Sequence, residues 1–202
     1  FYVTVLSTAF ALVLGLPLDG CAAALGAARG VKGRIEVVPT PTDYTVLIDY
    51  AHTPDALENI LTTVRDFTPG RVICLFGCGG DRDRTKRPIM GGVVKELADL
   101  AVVTSDNPRT EDPEDIIRDI LAGMEGEGAQ IHVEPDRRQA IAWALSQGRP
   151  GDVIVLAGKG HETVQEVQGV TLPLDEREIV AEYFEKRAQC RERAGNLPAG
   201  IV

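Results

Sequence analysis

Four short apolar runs, each followed directly by a polar block, most constrain how this 202-residue chain can fold. The runs lie at 46–48, 72–76, 101–103 and 153–157, with helical patterns between them. Such runs are typical of parallel strands, because a sheet covered by helices on both faces buries every strand residue. The pattern predicts a doubly wound, mostly parallel α/β sheet from about residue 34 onward.

Helical and hairpin patterns account for most of the remaining chain. Apolar spacing predicts helices at 3–14, 19–28, 55–67, 86–98, 113–122, 136–145 and 175–193. Alternation around turn residues predicts hairpins at 34–49 and 162–174, and we expect the tail at 194–202 to be mobile. We assign Trp143 to the core and His132 to a structural role in a strand.

Composition argues against several classes of partner. The net charge is −9, from 21 Lys and Arg against 30 Asp and Glu, which disfavours binding to nucleic acid or to an anionic membrane. The first 18 residues carry no charge until Asp19, but they lack a basic flank and contain hydroxyl side chains, so we expect neither a signal peptide nor a span. The four cysteines form no CxxC pair, so reduced cytoplasmic thiols are favoured over a zinc site.

The polar blocks after the four runs are the candidate functional segments. In an open α/β sheet, ligands bind beyond the carboxyl ends of the strands, so we expect all four blocks to meet at one rim. The blocks are 49–54, 77–84, 106–109 and 158–162.

Two of these blocks carry groups suited to phosphate, ribose or carboxylate. Asp49 and His52 could bind a ribose hydroxyl, a metal-bound water or a phosphate, whereas the alternative is that Asp49 caps the next helix; spacing supports both equally. In 77–84, three glycines permit close approach of a ligand and the arginines suit an anion. The alternative is a solvated loop whose aspartates neutralise Arg82 and Arg84; Lys86 and Arg87 follow directly, and this number of cations makes that alternative weaker.

The other two blocks carry groups suited to an amino acid. Asp106, Asn107 and Arg109 offer an acceptor, an amide and a bidentate donor, although a capped turn is the favoured interpretation of so short a string alone. In 158–162, Lys159 could pair with a phosphate or carboxylate and Glu162 with an ammonium group, and the alternative is a turn with surface charges.

Taken in order, the four blocks resemble a known family. The strings DYAHTPDAL, GCGGDRDRTKRP, DNPR and GKGHE resemble those of the Mur ligases of peptidoglycan synthesis, in particular the branch that adds 2,6-diaminopimelate. The resemblance covers nearly the whole chain. It implies that 1–33 are the end of a central ATPase domain, a helical stub, and that 34–202 are a Rossmann-like C-terminal domain.

The resemblance also implies roles for individual residues. The implied amino-acid-binding residues are Arg82, Asp106, Asn107, Pro108, Arg109, Gly158 and Glu162. The implied nucleotide-binding residues are Arg34, Asp49 and His52. No metal ligand is implied.

The implied reaction is ATP-dependent amide formation. ATP, with Mg²⁺, would activate the D-glutamate carboxylate of UDP-MurNAc-L-Ala-D-Glu, and the amine of meso-2,6-diaminopimelate would attack it. Arg109 could pair with the second carboxylate of diaminopimelate, which lysine lacks. The chain contains no Gly-Lys-Ser/Thr phosphate loop, so the catalytic set is incomplete and we expect this chain alone to be inactive. A cytoplasmic monomer is expected.

Three alternatives remain open at this point. A lysine-adding ligase is disfavoured by Arg109, and a folylpolyglutamate synthetase is disfavoured by the DNPR string. A non-catalytic module that binds an amino acid is compatible with the sequence, because the phosphate loop is absent from it.

Overall fold

The computed structural model of this protein describes residues 2–27 and 30–195. The chain divides into two compact units, Phe1–Val31 and Lys32–Val202. The first unit contains α1 (Tyr2–Val13) and α2 (Leu18–Ala27), as predicted. Residue 28 of the predicted second helix and residues 196–202 of the predicted mobile tail lie outside the described residues. None of the helices in the described ranges is long and apolar enough to span a bilayer.

The second unit is a six-stranded sheet with five helices and a separate hairpin. Its strands are β1 (Glu36–Val38), β2 (Thr45–Asp49), β3 (Val72–Phe76), β4 (Leu100–Val103), β5 (Gln130–Val133), β6 (Val153–Ala157), β7 (Val164–Val167) and β8 (Val170–Pro173). Its helices are α3 (Pro54–Phe67), α4 (Lys86–Leu97), α5 (Pro113–Leu121), α6 (Arg137–Gln147) and α7 (Glu176–Gly195). The sheet order is β1-β2-β6-β3-β4-β5. β1 is antiparallel to β2, the other neighbours are parallel, and β7 and β8 form the predicted hairpin.

Strand residues alternate between two hydrophobic cores, one on each face of the sheet. Leu47 and Cys74 pack with buried residues of α3, α4 and α5. Ile48 and Ile73 point the other way and pack with α6 and α7. Both faces are thus covered, which explains the unbroken apolar runs and confirms the doubly wound α/β prediction. Each fully buried side chain of this size contributes about 1.5–3 kcal/mol to folding.

Side-chain caps determine where the helices after the strands begin. Thr53 accepts the N–H of Ala56 at 3.3 Å, and Pro54 occupies the first helical turn of α3. Asp136 caps α6, as predicted. The alternative that Asp49 caps α3 is wrong, because Thr53 fills that position.

Trp143 is only partly buried, so the prediction that it is a core residue is only partly correct. It packs at the margin of the α6–α7 core, and its ring stacks on His132 of β5 with centroids 3.6 Å apart and planes 7° apart. His132 therefore has the structural role that was predicted.

Strand register brings the carboxyl ends of the four predicted strands together. Asp49 of β2 is level with Ala157 of β6, and Phe76 of β3 is level with Val103 of β4. β6 also pairs with β3, so the order along the rim is β2, β6, β3, β4. The four polar blocks therefore emerge at one rim of the sheet, as the sequence predicted.

Candidate functional site

A cavity of about 260 Å³ opens at this rim. All four blocks contribute to its lining, which is Tyr50, His52, Thr53, Gly79, Arg82, Lys86, Asp106, Asn107, Arg109, Gly158 and Glu162. A larger hollow of about 400 Å³ lies beside Tyr44 and Phe184, but its lining contains a single charged side chain, Arg187. The charged cavity at the strand ends is the better candidate for a functional site, because several polar groups converge on it.

One side of the cavity is built around a carboxylate. Glu162 accepts a hydrogen bond from Asn107 Nδ2 at 3.0 Å and contacts Lys159 Nζ at 3.3 Å. Burial alone would raise the pKa of Glu162, but the Asn107 hydrogen bond and the Lys159 charge outweigh it and lower the pKa. Glu162 is therefore an anion at neutral pH that faces the cavity.

Lys159 does not have the exposed position that its sequence context suggested. Its side chain is fully buried, and its ammonium group lies 2.9 Å from Asn107 Oδ1 and 3.5 Å from Asp106 Oδ1, in addition to Glu162. It does not line the cavity. The interpretation of Lys159 as a direct partner of a substrate anion is therefore wrong.

Arg109 lies on the cavity wall in a constrained conformation. Its backbone has φ 53°, in the left-handed region, and its N–H donates to Glu166 O at 3.0 Å. Its guanidinium contacts the Glu166 carboxylate at 3.1 Å and donates to Gly80 O at 2.8 Å. The β7–β8 hairpin thus holds Arg109 in place, at a strain cost of about 1–3 kcal/mol.

The predicted cluster of four cations after Gly80 separates into two groups. Arg82 and Lys86 line the cavity, and in the described part of the chain neither reaches a carboxylate within 4.0 Å. Lys86 Nζ instead donates to His52 O at 2.9 Å. Both cations therefore line the cavity without a carboxylate partner among the described residues.

The other two cations of that cluster are structural. Arg84 pairs with Asp119, and the fully buried Arg87 pairs with both Glu111 and Asp119 at 2.8 and 2.9 Å. The hydrogen bond from Arg87 lowers the pKa of Glu111 to about 2. These pairs join the start of α4 to α5 and to Glu111 before it, and Arg87 also donates to Gly79 O of the glycine loop at 3.3 Å. The alternative that Asp81 and Asp83 neutralise Arg82 and Arg84 is wrong, because Asp81 accepts from Thr110 and Asp83 accepts from Thr85.

Close packing explains why Gly158 and Pro108 occupy their positions. Gly158 has φ +112°, and a Cβ there would lie 2.8 Å from Asp106 Oδ2. Pro108 is buried and does not line the cavity; its carbonyl packs against Gly80 and accepts the Glu111 N–H at 3.0 Å. Of the residues implied to bind the amino acid, Pro108 alone is absent from the cavity wall. It packs behind the wall, against Gly80.

The residues implied to bind nucleotide do not share one hollow. His52 lines the charged cavity and its ring packs against Tyr50 in a tilted arrangement, with ring centroids 4.7 Å apart. Asp49 faces a separate hollow of about 230 Å³ beside α3 and accepts the Ile35 N–H at 2.8 Å. The Arg34 guanidinium carbon lies over the Tyr50 ring, 4.9 Å from its centroid. His52 and Asp49 therefore line different hollows.

A buried ion pair that sequence reasoning missed supports the rim. Arg137, at the start of α6, pairs with Glu176 at 2.8 Å, and both side chains are fully buried. Arg137 also donates to Ser105 O at 3.2 Å and to Ala157 O at 2.8 Å. These carbonyls directly precede the blocks at 106–109 and 158–162. The partners lie 20 to 39 residues away in sequence, so no local pattern could have revealed them.

Comparison with known proteins agrees with this architecture. Residues 33–160 match the family model described as Mur ligase, glutamate ligase domain. A curated relative from Trichormus variabilis is 56% identical over 169 residues, which are 83% of this chain and 34% of the relative. One from Clostridioides difficile is 47% identical over 185 residues, 92% of this chain and 38% of the relative. Both are named UDP-N-acetylmuramoyl-L-alanyl-D-glutamate–2,6-diaminopimelate ligase. This chain therefore spans little more than a third of their length.

Solved structures give the same result. A structure of a ligase with that name has a TM-score of 0.75 at 38% identity and covers 90% of this chain and 37% of the other. The MurF ligase of Thermotoga maritima, solved with ADP, has a TM-score of 0.58 at 18% identity. The match covers 92% of this chain and 37% of that ligase, and it shows a shared fold. The match of 33–160 includes the sheet strands and three of the four rim blocks in full. The chain belongs to the family of Mur ligase, glutamate ligase domains.

Proposed function

We propose that this chain is the C-terminal part of an ATP-dependent ligase that adds meso-2,6-diaminopimelate to UDP-MurNAc-L-Ala-D-Glu. In this proposal, residues 1–33 end the central ATPase domain and 34–202 form the C-terminal domain of a cytoplasmic, monomeric enzyme. The observation that carries the proposal is the cavity with unpaired cations on one wall and the Glu162 anion on another. The names of the relatives support the same substrate.

The cavity is suited to a zwitterionic amino-acid centre. Glu162 would receive the ammonium group, since a carboxylate accepts its hydrogen bonds, and the Asn107 amide beside it would hold Glu162 in place. Arg109 and Arg82 would hold carboxylates, and a guanidinium can bind a carboxylate through two parallel hydrogen bonds. Diaminopimelate carries such a centre at each end, whereas lysine carries one. A pocket that needs the second carboxylate would therefore reject lysine.

Arg109 would change partners when the ligand binds. Its guanidinium is already compensated in part by Glu166, whose side chain is 49% exposed. A solvent-exposed ion pair contributes only about 0–1 kcal/mol, so exchanging it for a substrate carboxylate costs little. Its backbone contacts with the hairpin would persist and keep the side chain on the cavity wall.

Nucleotide would bind at the neighbouring surface around Arg34 and Asp49. Arg34 is exposed, and no carboxylate in the described residues pairs with it, so it is suited to a phosphate. ATP supplies the phosphoryl group that activates a carboxylate for amide formation. The described residues contain no group of three or more His, Cys, Asp or Glu side chains that could hold a metal ion. Mg²⁺ is usually bound by one or two carboxylates together with substrate phosphates, so in this proposal it would bind together with ATP.

Calorimetry with meso-diaminopimelate and L-lysine tests the proposed function. We expect the wild-type chain to prefer meso-diaminopimelate by about 10²–10⁴-fold, the range for an unpaired charged group at a specificity site. Arg109→Ala should remove the preference. Arg118→Ala is the matched control, because that side chain is 73% exposed on α5 and does not line the cavity. Equal affinity for both amino acids, or a preference that survives Arg109→Ala, would contradict the proposal.

A second assay tests the expectation that this chain is inactive without the rest of the ligase. The 202-residue chain should release no phosphate from ATP when given UDP-MurNAc-L-Ala-D-Glu and meso-diaminopimelate, because it has no phosphate-binding loop. The full-length ligase should do so under the same conditions. Turnover by this chain alone would refute the expectation that it is inactive.

A further inference from the structure

Lys159 is a fully buried cation whose partners all belong to the rim blocks. Its ammonium group reaches Asn107 Oδ1 at 2.9 Å, Glu162 Oε2 at 3.3 Å and Asp106 Oδ1 at 3.5 Å. The side chain has no solvent exposure. A lysine ammonium has three donors, and here each has an acceptor. The cost of burying the charge is offset only because two carboxylates compensate it.

The position of Lys159 determines which way the Asn107 amide faces. Asn107 Oδ1 accepts from Lys159 and from the Glu166 N–H at 3.1 Å, so its oxygen points toward these donors. The amide nitrogen is then directed to Glu162, 3.0 Å away. With Lys159 replaced by an apolar side chain, the amide would lose one of the two donors that set its orientation. The Glu162 carboxylate would also lose its cationic partner.

We propose that Lys159 is a positioning residue of this cavity, which orients Asn107 and holds Glu162 as an ion directed at the ammonium group of an amino-acid ligand. The inference rests on the proposed function, because it assumes that the cavity binds an amino acid. Lys159 itself does not touch the ligand, since its side chain is enclosed and absent from the cavity wall. It acts through Asn107 and Glu162, which line the cavity.

Substitution of Lys159 tests the proposal by calorimetry with meso-diaminopimelate. Lys159→Met keeps the length of the side chain and removes its charge, and we expect affinity to fall about 10- to 100-fold, as when a hydrogen bond to a charged group is lost. Lys95→Met is the matched control. Lys95 is partly buried and donates to Ala129 O at 2.9 Å, away from the cavity. It should leave affinity unchanged.

A spectroscopic measurement on the wild-type protein covers the case in which Lys159→Met does not fold. The Lys159 ammonium signal should be visible by NMR, since a buried ammonium exchanges slowly with water, and it should shift when meso-diaminopimelate is added. The Asn107 side-chain amide should shift with it. The lysine signal is the one that discriminates, because Asn107 lines the cavity and would respond to the ligand in any case, whereas a lysine uncoupled from the ligand would show no shift.

The outcomes separate this inference from the proposed function. If the wild-type chain does not bind meso-diaminopimelate, the proposed function fails and the role of Lys159 fails with it. If the wild type binds and a folded Lys159→Met binds equally well, only the role of Lys159 is overturned. A Lys159 signal that does not respond to saturating ligand overturns that role as well.

Discussion

Replacement of Arg137 should destabilise the fold far more than replacement of its neighbour Arg138. Arg137 and Glu176 are both fully buried, whereas the Arg138–Glu182 pair is 49% and 44% exposed. Removing one partner of a buried pair leaves an uncompensated charge and costs about 3–5 kcal/mol. An exposed pair contributes about 0–1 kcal/mol. We therefore expect Arg137→Met to lower the free energy of unfolding by about 3–5 kcal/mol, and Arg138→Met to lower it by at most about 1 kcal/mol.

The double variant Arg137→Met/Glu176→Leu tests the cause of that loss. Removing both charges should recover part of the stability, because an apolar pair can replace a buried ion pair at little cost. Recovery should be incomplete, since the carbonyls of Ser105 and Ala157 lose their donor, at about 1–3 kcal/mol for each group left unsatisfied.

Urea denaturation followed by circular dichroism measures all three variants against the wild type. For a unit of this size, a loss of about 4 kcal/mol corresponds to a decrease in melting temperature on the order of 10 °C. Equal, small losses for Arg137→Met and Arg138→Met would refute the reasoning from burial. A double variant less stable than Arg137→Met would show that the unpaired Glu176 charge is not the cause.

Three further predictions concern the rim, the thiols and the acid response. Gly158→Ala should cost about 1–3 kcal/mol of stability and weaken amino-acid binding, measured by denaturation and calorimetry, because its φ is +112°. Burial raises the pKa of Cys78 to about 12, so iodoacetamide at pH 8 should modify the exposed Cys190 and spare Cys78, as mass spectrometry would show. Glu111 has a pKa lowered to about 2 by Arg87, so its stabilisation is present above pH 4.5 and lost as pH falls toward 2; Glu111→Gln should flatten that part of the unfolding curve against pH. Modification of native Cys78, an unchanged acid response or a fully stable Gly158→Ala would each contradict the corresponding prediction.

The sheet could be predicted from the sequence because its signals are local. An apolar run such as 72–76 reports burial on both faces, and the polar residues that follow mark the carboxyl end of the strand. Chain order and the rule for ligand sites in open sheets were then sufficient to bring Arg82, Arg109 and Glu162 to one cavity. These inferences need no knowledge of how distant residues pair.

The roles of individual charges could not be predicted, because they depend on partners far along the chain. Arg82 and Arg87 look alike in sequence, yet Arg87 is buried against Glu111, 24 residues away, and Arg82 faces the cavity. The sequence predicts Lys159 as a partner of a ligand anion, whereas in the structure it is buried against Asn107, 52 residues away, and two carboxylates. Spacing indicates that charges lie near one rim. It does not indicate which of them neutralise one another.

A crystal structure of the chain grown with meso-diaminopimelate would show whether the rim cavity binds this amino acid and in which orientation. We expect one molecule in the rim cavity, with an ammonium group at Glu162 and a carboxylate at Arg109. A ligand bound in the apolar hollow beside Tyr44, or in the rim cavity with its carboxylate turned away from Arg109, would contradict this expectation.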